Sequence, residues 1–155
     1  MNILLLTLFE LFFARLDTAI FATDYTITIS DKSGPLTMMG SVAMQGEKFV
    51  GSVLGMEAAY DGKTLYLYDP RSNELTLSAP KPWEMADTNP YLYIQDLIGD
   101  TPLDVKMDSV SGFPKSVSLK QDKQRIKLSL RHSRWLNKAP EWKVTKKGAK
   151  INDLR

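Results

Sequence analysis

The sequence of 155 residues has no cysteine and only one histidine, His132. Without cysteine the chain cannot form disulfides, use a thiol nucleophile or hold zinc through thiolates. With one histidine it cannot build a metal site from several imidazoles or relay protons between them. These absences leave the cellular compartment open, because many exported proteins also lack cysteine.

Catalytic signatures are missing as well. The sequence has no P-loop, Rossmann glycine run, EF-hand loop or zinc-ligand spacing. The stretch GSVLG, residues 51–55, has the glycine spacing of a nucleophile elbow, but valine stands in place of the serine. His132 cannot act as a base for Ser133 on a strand, because neighbouring side chains point to opposite faces. We therefore expect a protein that is not an enzyme and uses no cofactor or metal.

The charge of the chain is distributed unevenly. Hydrophobic residues make up 43% and charged residues 25%, which is ordinary for a soluble globular domain, and the length favours one domain. Residues 1–110 hold 7 Lys/Arg and 15 Asp/Glu, whereas residues 111–155 hold 13 and 3. One possibility is that the strands of this basic C-terminal third lie beside acidic strands, so that the charges mix. The other is that the third forms a face that binds nucleic acid, anionic lipid or an acidic protein.

Alternation within this third separates basic from apolar side chains. Residues 126–131 alternate apolar and polar, which predicts a half-buried strand. Trp135 and Trp142 are interleaved with cations, as in single-strand binding, but no RNP-type pattern accompanies them, so we expect no nucleic-acid partner. The residues expected to be exposed for partner binding are Lys127, Arg131, Lys143 and Lys146.

Residues 1–22 form the most apolar segment, and two interpretations compete. The h-region of a secretory signal would explain the run, but no Lys or Arg precedes it and Glu10 interrupts it. The run is too short for a transmembrane span. A helix packed on the sheet, rather than a signal remnant, fits the recurrence of apolar residues every three or four positions. These residues are Ile3, Leu6, Phe9, Phe13, Leu16 and Ile20.

From residue 23 onward the apolar period becomes two, which is typical of strands. Turns such as DKSG and QGEK separate the runs, so residues 23–155 are expected to form a single antiparallel domain. Gly51 and Gly55 lie within a strand pattern and predict bulges or bends, which would curl the sheet. The strand TLYLY, residues 64–68, has large side chains on both faces, so both faces need cover.

A helix is predicted over residues 89–98, between the strands. Thr88 or Asn89 can cap it, Pro90 suits its first position, and Gly99 ends it. Its apolar stripe consists of Tyr91, Ile94, Leu97 and Ile98.

Methionine is frequent, with 7 in the chain, and several lie on the predicted meander. Methionine adapts to irregular apolar shapes. These side chains, Met38, Met39, Met44 and Met56, are therefore either ordinary core or the lining of a deformable cavity for a flexible apolar ligand.

Several motifs, taken in order, resemble the periplasmic outer-membrane lipoprotein carriers, the LolA family. They are DGKTLYLYDP followed by RSNELTLS, the helix DTNPYLYIQDLIG, the turn at 46–49 and the ending WKVTKKGAKINDLR, and together they cover about residues 20–155. Many carriers have Lys-Arg-Pro before the aromatic that Phe49 matches. This chain has QGEKF there, so the Arg that helps close the family's lid is not carried over. The family's outer-membrane receptor has an acylated N-terminal cysteine, so the lack of cysteine favours the carrier.

The resemblance implies a mainly β fold with α: a curled antiparallel sheet, an unclosed half-barrel, lidded by helices. It implies a periplasmic, monomeric carrier for the acyl chains of lipoproteins, loaded by an inner-membrane releasing complex and emptied by an outer-membrane acceptor. The residues expected to line the apolar cavity are Leu6, Phe9, Phe13, Ile27, Met38, Val42, Met44, Leu65, Leu67, Tyr91, Ile94 and Leu97. The alternative is a non-enzymatic binding module with a filled core, which recognises a protein or an anionic surface through its basic C-terminal third.

Overall fold

The structure, a computed structural model, describes residues 3–53, 55–85, 89, 103–121 and 123–155. Within these residues one α-helix, α1, spans Ile3–Arg15. The strands are β1 Ile20–Asp31, β2 Gly34–Gln45, β3 Lys48–Val53, β4 Met56–Tyr60, β5 Leu65–Asp69, β6 Glu74–Ser78, β7 Leu103–Met107, β8 Pro114–Gln121, β9 Gln124–Leu136 and β10 Lys150–Asp153. A 3-10 turn at Pro82–Glu84 follows β6.

All ten strands belong to one sheet in the order β10-β6-β5-β4-β3-β2-β1-β9-β8-β7. Strand β1 joins two antiparallel meanders, because it pairs with β2 on one side and with β9 on the other. The two outermost strands, β10 and β7, are not paired with each other in the described part of the chain, so the curled sheet is unclosed. This confirms the expected mainly β fold. One feature was not expected: β10 pairs with β6 in parallel.

Helix α1 lies on one side of this sheet. Phe9, Phe12 and Leu16, near its C-terminal end, are buried at the spacing of three and four that one helix face provides. Glu10 and Leu11 are exposed. Within the segment 1–22, Ile3–Arg15 form a helix packed on the sheet and residues 20–22 already belong to β1. The choice between a structural helix and a signal remnant stays a prediction.

The strand register assigns every paired side chain to a face, because directly opposite residues point to the same side. The face that α1 covers is named the helix face, and the opposite side the back face. A central row on the helix face runs through Phe21, Met44, Phe49, Tyr60 and Leu65. Each of these side chains is buried in one cluster with the residues of α1.

The strand TLYLY divides its side chains between the two faces. Leu65 and Leu67 point to the helix face, opposite Tyr60 and Ala58 of β4. Tyr66 and Tyr68 therefore lie on the back face, and both pack there against a second buried cluster. This explains the large side chains on both sides of β5: each face has its own cover.

The cover of the back face comes from the segment between β9 and β10. Val144 is buried there in one cluster with Ala59, Leu75 and Leu77. The backbone N–H of Lys150 donates to the carbonyl of Asn73, which starts the parallel pairing of β10 with β6. The chain after β9 therefore crosses the back face and ends at the far edge of the sheet.

The bulge predicted at Gly51 is absent, whereas Gly55 lies in the turn between β3 and β4 with a φ of 74°. Gly51 pairs in regular register with Val42 and Ala58, so it makes no bulge. A Cβ at this position would lie against the carbonyl oxygen of Ser41, so the glycine permits close approach of two strands instead. The bulge occurs on β9, where the register shifts beside Thr23 and His132 has a φ of 55°.

Candidate functional site

The core beneath α1 is aromatic. The ring centroid of Phe12 lies 5.0 Å from that of Phe21, 5.7 Å from that of Trp135 and 6.1 Å from that of Phe113. The guanidinium of Arg15 lies 4.3 Å from the centre of the Trp135 ring, which adds a cation–π contact at the surface. This end of the helix face is filled by side chains.

The connection after α1 is tied to the turn between β2 and β3. The N–H of Gly46 donates to the carbonyl of Leu16 at 2.6 Å, and the Gln45 side-chain amide donates to the carbonyl of Thr18 at 2.7 Å. Asn89, which is fully buried, donates from its amide to the carbonyl of Glu47 at 2.6 Å. The turn in which the resemblance led us to look for an Arg therefore holds α1 through hydrogen bonds instead.

The strand residues expected to line a cavity all point to the helix face. Two of them, Met44 and Leu65, are buried with Phe9 in the packed core, and Phe13 packs against that core. The rest, Ile27, Met38, Val42 and Leu67, are half-buried. Three of the remaining predicted residues, Tyr91, Ile94 and Leu97, and the side chain of Leu6 lie outside the described residues.

The register connects the half-buried positions through small side chains. Leu67 lies opposite Ala58, Ala58 opposite Gly51, and Gly51 opposite Val42. The small middle residues make a low floor between two larger aliphatic side chains. Sequence reasoning took Gly51 for a bulge and did not name Ala58, because only the register of β3 between its neighbours shows that they share a row.

A cavity of about 290 Å³ lies at the β5 end of this row. Ligand pockets in proteins usually start at roughly this volume. The apolar part of its wall includes Met56 and Leu67, and its polar part includes Asp69 and Glu74. The full lining is Met56, Leu67, Asp69, Ser72, Glu74 and Thr76.

The polar end of the cavity is acidic. Asp69 and Glu74 lie directly opposite each other on β5 and β6. The Arg71 side chain donates to Asp69 at 3.1 Å, and this hydrogen bond lowers the pKa of Asp69 below its ordinary value. Asp69 is therefore ion-paired with Arg71, and Glu74 lies opposite Lys150 of β10, so a cation accompanies each carboxylate.

The structure separates the four predicted partner-binding cations. Lys127 and Arg131 are exposed on the back face of β9, and Lys143 is exposed in the C-terminal segment. Lys146 was expected to be exposed for partner binding, but it is half-buried and ion-paired within the chain. Its Nζ lies 2.8 Å from Glu57 Oε2 and 5.3 Å from the centre of the Tyr68 ring, so it anchors the C-terminal segment to the back face.

His132, at the bulge of β9, forms a side-chain hydrogen bond to β1. Its Nδ1 lies 2.8 Å from Asp24 Oδ2, and this hydrogen bond lowers the pKa of Asp24. Thr23 and Ser133 share a hydrogen bond of 2.9 Å between their hydroxyls, so Ser133 is held by Thr23. Across the described ranges, no group of three His, Cys, Asp or Glu side chains could hold a metal ion. No helix there is long and apolar enough to cross a membrane.

Comparison with known proteins gives distant structural likenesses. No family model matches the chain. No curated protein matches it significantly. The chain is similar to an uncharacterized conserved protein from Thermus thermophilus, with 13% identity, a TM-score of 0.47 and coverage of 96% of this chain and 98% of that chain. It is also similar to a domain from Vibrio parahaemolyticus provisionally described as an outer membrane lipoprotein-sorting protein, with 11% identity, a TM-score of 0.42 and coverage of 88% and 94%. Neither likeness is strong enough to assign a family or a function.

Proposed function

We propose that the protein is a non-enzymatic periplasmic carrier that binds acyl chains of a lipoprotein or another lipid on its helix face. The observation that carries the proposal is the row of half-buried apolar side chains at the edge of the packed core. Val42 and Leu67 flank the small-residue floor, and the cavity of about 290 Å³ opens beside Leu67. Ile27 and Met38 extend the apolar surface along β1 and β2.

The energetics of acyl binding suit such a surface. Burying a chain of about 16 carbons at ~0.8 kcal/mol per CH₂ stabilises the complex by roughly 10 kcal/mol. A cavity of this size accommodates only part of such a chain. Complete burial therefore requires movement of a covering element, such as α1, and that movement offsets part of the binding energy and permits release.

A neutral, fluorescent acyl ester is the probe for this proposal. It presents the kind of uncharged acyl linkage that a lipid-modified protein carries, and it brings no charge of its own to the ion pair of Arg71 with Asp69.

Two adjacent methionines provide a matched test. Met38 points to the helix face opposite Ile27, and Met39 points to the back face opposite Thr26. Met38→Glu should abolish binding of the acyl ester, whereas Met39→Glu should leave it unchanged, as measured by fluorescence titration. If wild-type protein binds no acyl probe, or if both substitutions weaken binding equally, the carrier hypothesis is wrong.

A binding module with a filled core is the second candidate. The observation that favours it is the aromatic packing of Phe12, Phe21, Phe113 and Trp135, which fills the sheet under α1. In that case the helix face contributes only to the stability of the fold and binds no ligand. The same titration separates the candidates, because the module binds no acyl ester.

A further inference from the structure

The back face of β7, β8, β9 and β1 has a composition unlike the rest of the sheet. Its basic side chains are all exposed. Small hydroxyl side chains fill the positions between them: Ser118 and Thr28 flank Lys127, and Thr26 lies opposite Ser129. The basic side chains are Lys106, Lys120, Arg125, Lys127, Arg131 and Arg134. This set of residues is named the basic sheet face.

Little negative charge opposes these cations. The carboxylates that the described strands β7, β8, β9 and β1 place on this face are Asp24 and Asp104. Asp24 is already hydrogen-bonded to His132. Lys127 makes no salt bridge within the described ranges. The Arg131 side chain makes a long hydrogen bond of 3.4 Å to Thr26 and lies opposite Asp24. The positive charge of the face is therefore available to a partner.

The shape of the face follows from strand geometry. Arg125 to Arg131 along β9 spans about 20 Å at roughly 3.3 Å per residue. Short Ser and Thr side chains between long Lys and Arg side chains leave a polar surface with charged tips. The segment that covers the back face at β6 does not bury it, because every one of the six cations is exposed.

We propose that the basic sheet face docks on the surface of an anionic phospholipid membrane. Protein partners are disfavoured because stable protein interfaces centre on buried aromatic or apolar anchors, and the middle of this face is Ser and Thr. Single-stranded nucleic acid is disfavoured because its bases need aromatic platforms, and Trp135 points to the helix face. A membrane surface needs only diffuse positive charge, which this face supplies.

The proposal goes beyond the carrier function and does not rest on it, because the two sites lie on opposite faces of the sheet. When the basic sheet face lies on the bilayer, the helix face points away from the bilayer surface or sideways along it. A carrier with this arrangement could approach a membrane without first exposing its acyl site. Vesicle binding and acyl binding can therefore fail independently.

The test is co-sedimentation of the whole chain with vesicles of phosphatidylglycerol and phosphatidylcholine, compared with phosphatidylcholine alone. Wild type should bind the anionic vesicles, lose binding as salt rises, and ignore the neutral ones. Each basic residue at an anionic surface changes the binding constant about fivefold. The double variant Lys127→Gln/Arg131→Gln should therefore bind about 25-fold more weakly.

The matched control is Lys143→Gln/Lys147→Gln, which removes the same charge from the exposed C-terminal segment. Val144 packs near Leu75 and Leu77 of β6, and strands β1 to β5 separate β6 from β9. At about 4.8 Å per strand, the separation of β6 from β9 along the sheet exceeds the Debye length of about 8 Å. Vesicle binding of the control variant should therefore weaken by less than about twofold. Thermal melting should be unchanged in both variants, because all four side chains are exposed.

Three results would overturn the proposal. The first is that wild type does not bind anionic vesicles at low salt. The second is that both double variants lose vesicle binding equally, which would mean that binding depends on the net charge of the protein and not on the basic sheet face. The third is that the Lys127/Arg131 variant keeps vesicle binding but loses binding to an acidic protein or to RNA, which would assign the face to that partner.

Discussion

Phe12 is the side chain whose removal tests most sharply whether α1 belongs to the folded domain. It is 8% exposed and contacts rings from β1, from β9 and from the residue before β8. Phe12→Ala removes a buried aromatic ring and leaves a cavity, which destabilises proteins by about 3–5 kcal/mol. At roughly 2–4 °C per kcal/mol for a domain of this size, the melting temperature should fall by about 6–20 °C.

Leu11 supplies the control for this experiment. It precedes Phe12 on the same helix and is 63% exposed. Leu11→Ala should change the free energy of unfolding by less than about 0.5 kcal/mol. Both free energies would be measured by urea denaturation followed by circular dichroism. If Phe12→Ala is as mild as Leu11→Ala, α1 does not contribute to the stability of the domain, and the secretory-signal interpretation of residues 1–22 regains support.

Two further predictions concern the backbone of β3 and the last strand. Gly51→Ala should destabilise the domain by about 1–3 kcal/mol in urea denaturation, because its Cβ would lie against backbone atoms of Ser41 and Val42. The exposed neighbour Ser41→Ala should have little effect; equal effects would refute the close approach of the two strands. Asp153 accepts hydrogen bonds from the Arg155 side chain, which lower its pKa from 3.8 to about 2. Since the folded-state pKa is depressed, the stabilisation is present above pH 3.8 and is lost as pH falls toward 2. Arg155→Gln should raise the pKa of Asp153 toward 3.8, as read by NMR titration of its carboxyl carbon; an unchanged titration would show that Arg155 is not the cause.

Sequence alternation was sufficient to group the side chains within each strand by face. Met38 and Val42 were placed on one face of their strand and Ile27 on one face of its own, and the register puts all three on the helix face. The inference works because side chains in a strand alternate strictly, so one residue fixes the side of its neighbours. The apolar spacing of α1 was correct in part. Phe9 and Leu16 are buried as expected, but Phe12 is buried where Phe13 was expected, and Ile20 belongs to β1 instead of the helix.

Features that depend on distant pairings were not predictable in this way. Lys146 is paired with Glu57, 89 residues away in sequence, and charge counting could not identify that partner. The parallel pairing of β10 with β6 depends on the path of the chain across the back face, which no local pattern encodes. His132 adopts a positive φ without being glycine, and its contact with Asp24 across the bulge has no sequence signature.

The predicted helix over 89–98 lies mostly outside the described residues and stays a prediction. Asn89, where it would begin, is buried against the turn that also holds the end of α1. If a lid is present there, hydrogen exchange should be faster in 90–98 than in β5 and should slow when an acyl ester binds. Equal protection in both segments, with no effect of the ester, would count against a lid.

Native mass spectrometry of the protein purified from its own host tests the central claim most directly. The account predicts a non-covalent adduct with the mass of an acyl-bearing molecule on wild type and on Met39→Glu. The same adduct should be absent from Met38→Glu, which stays folded by circular dichroism. A wild-type protein free of any acyl adduct, and unable to take one up from added acyl ester, would contradict the assignment of the helix face as a lipid site.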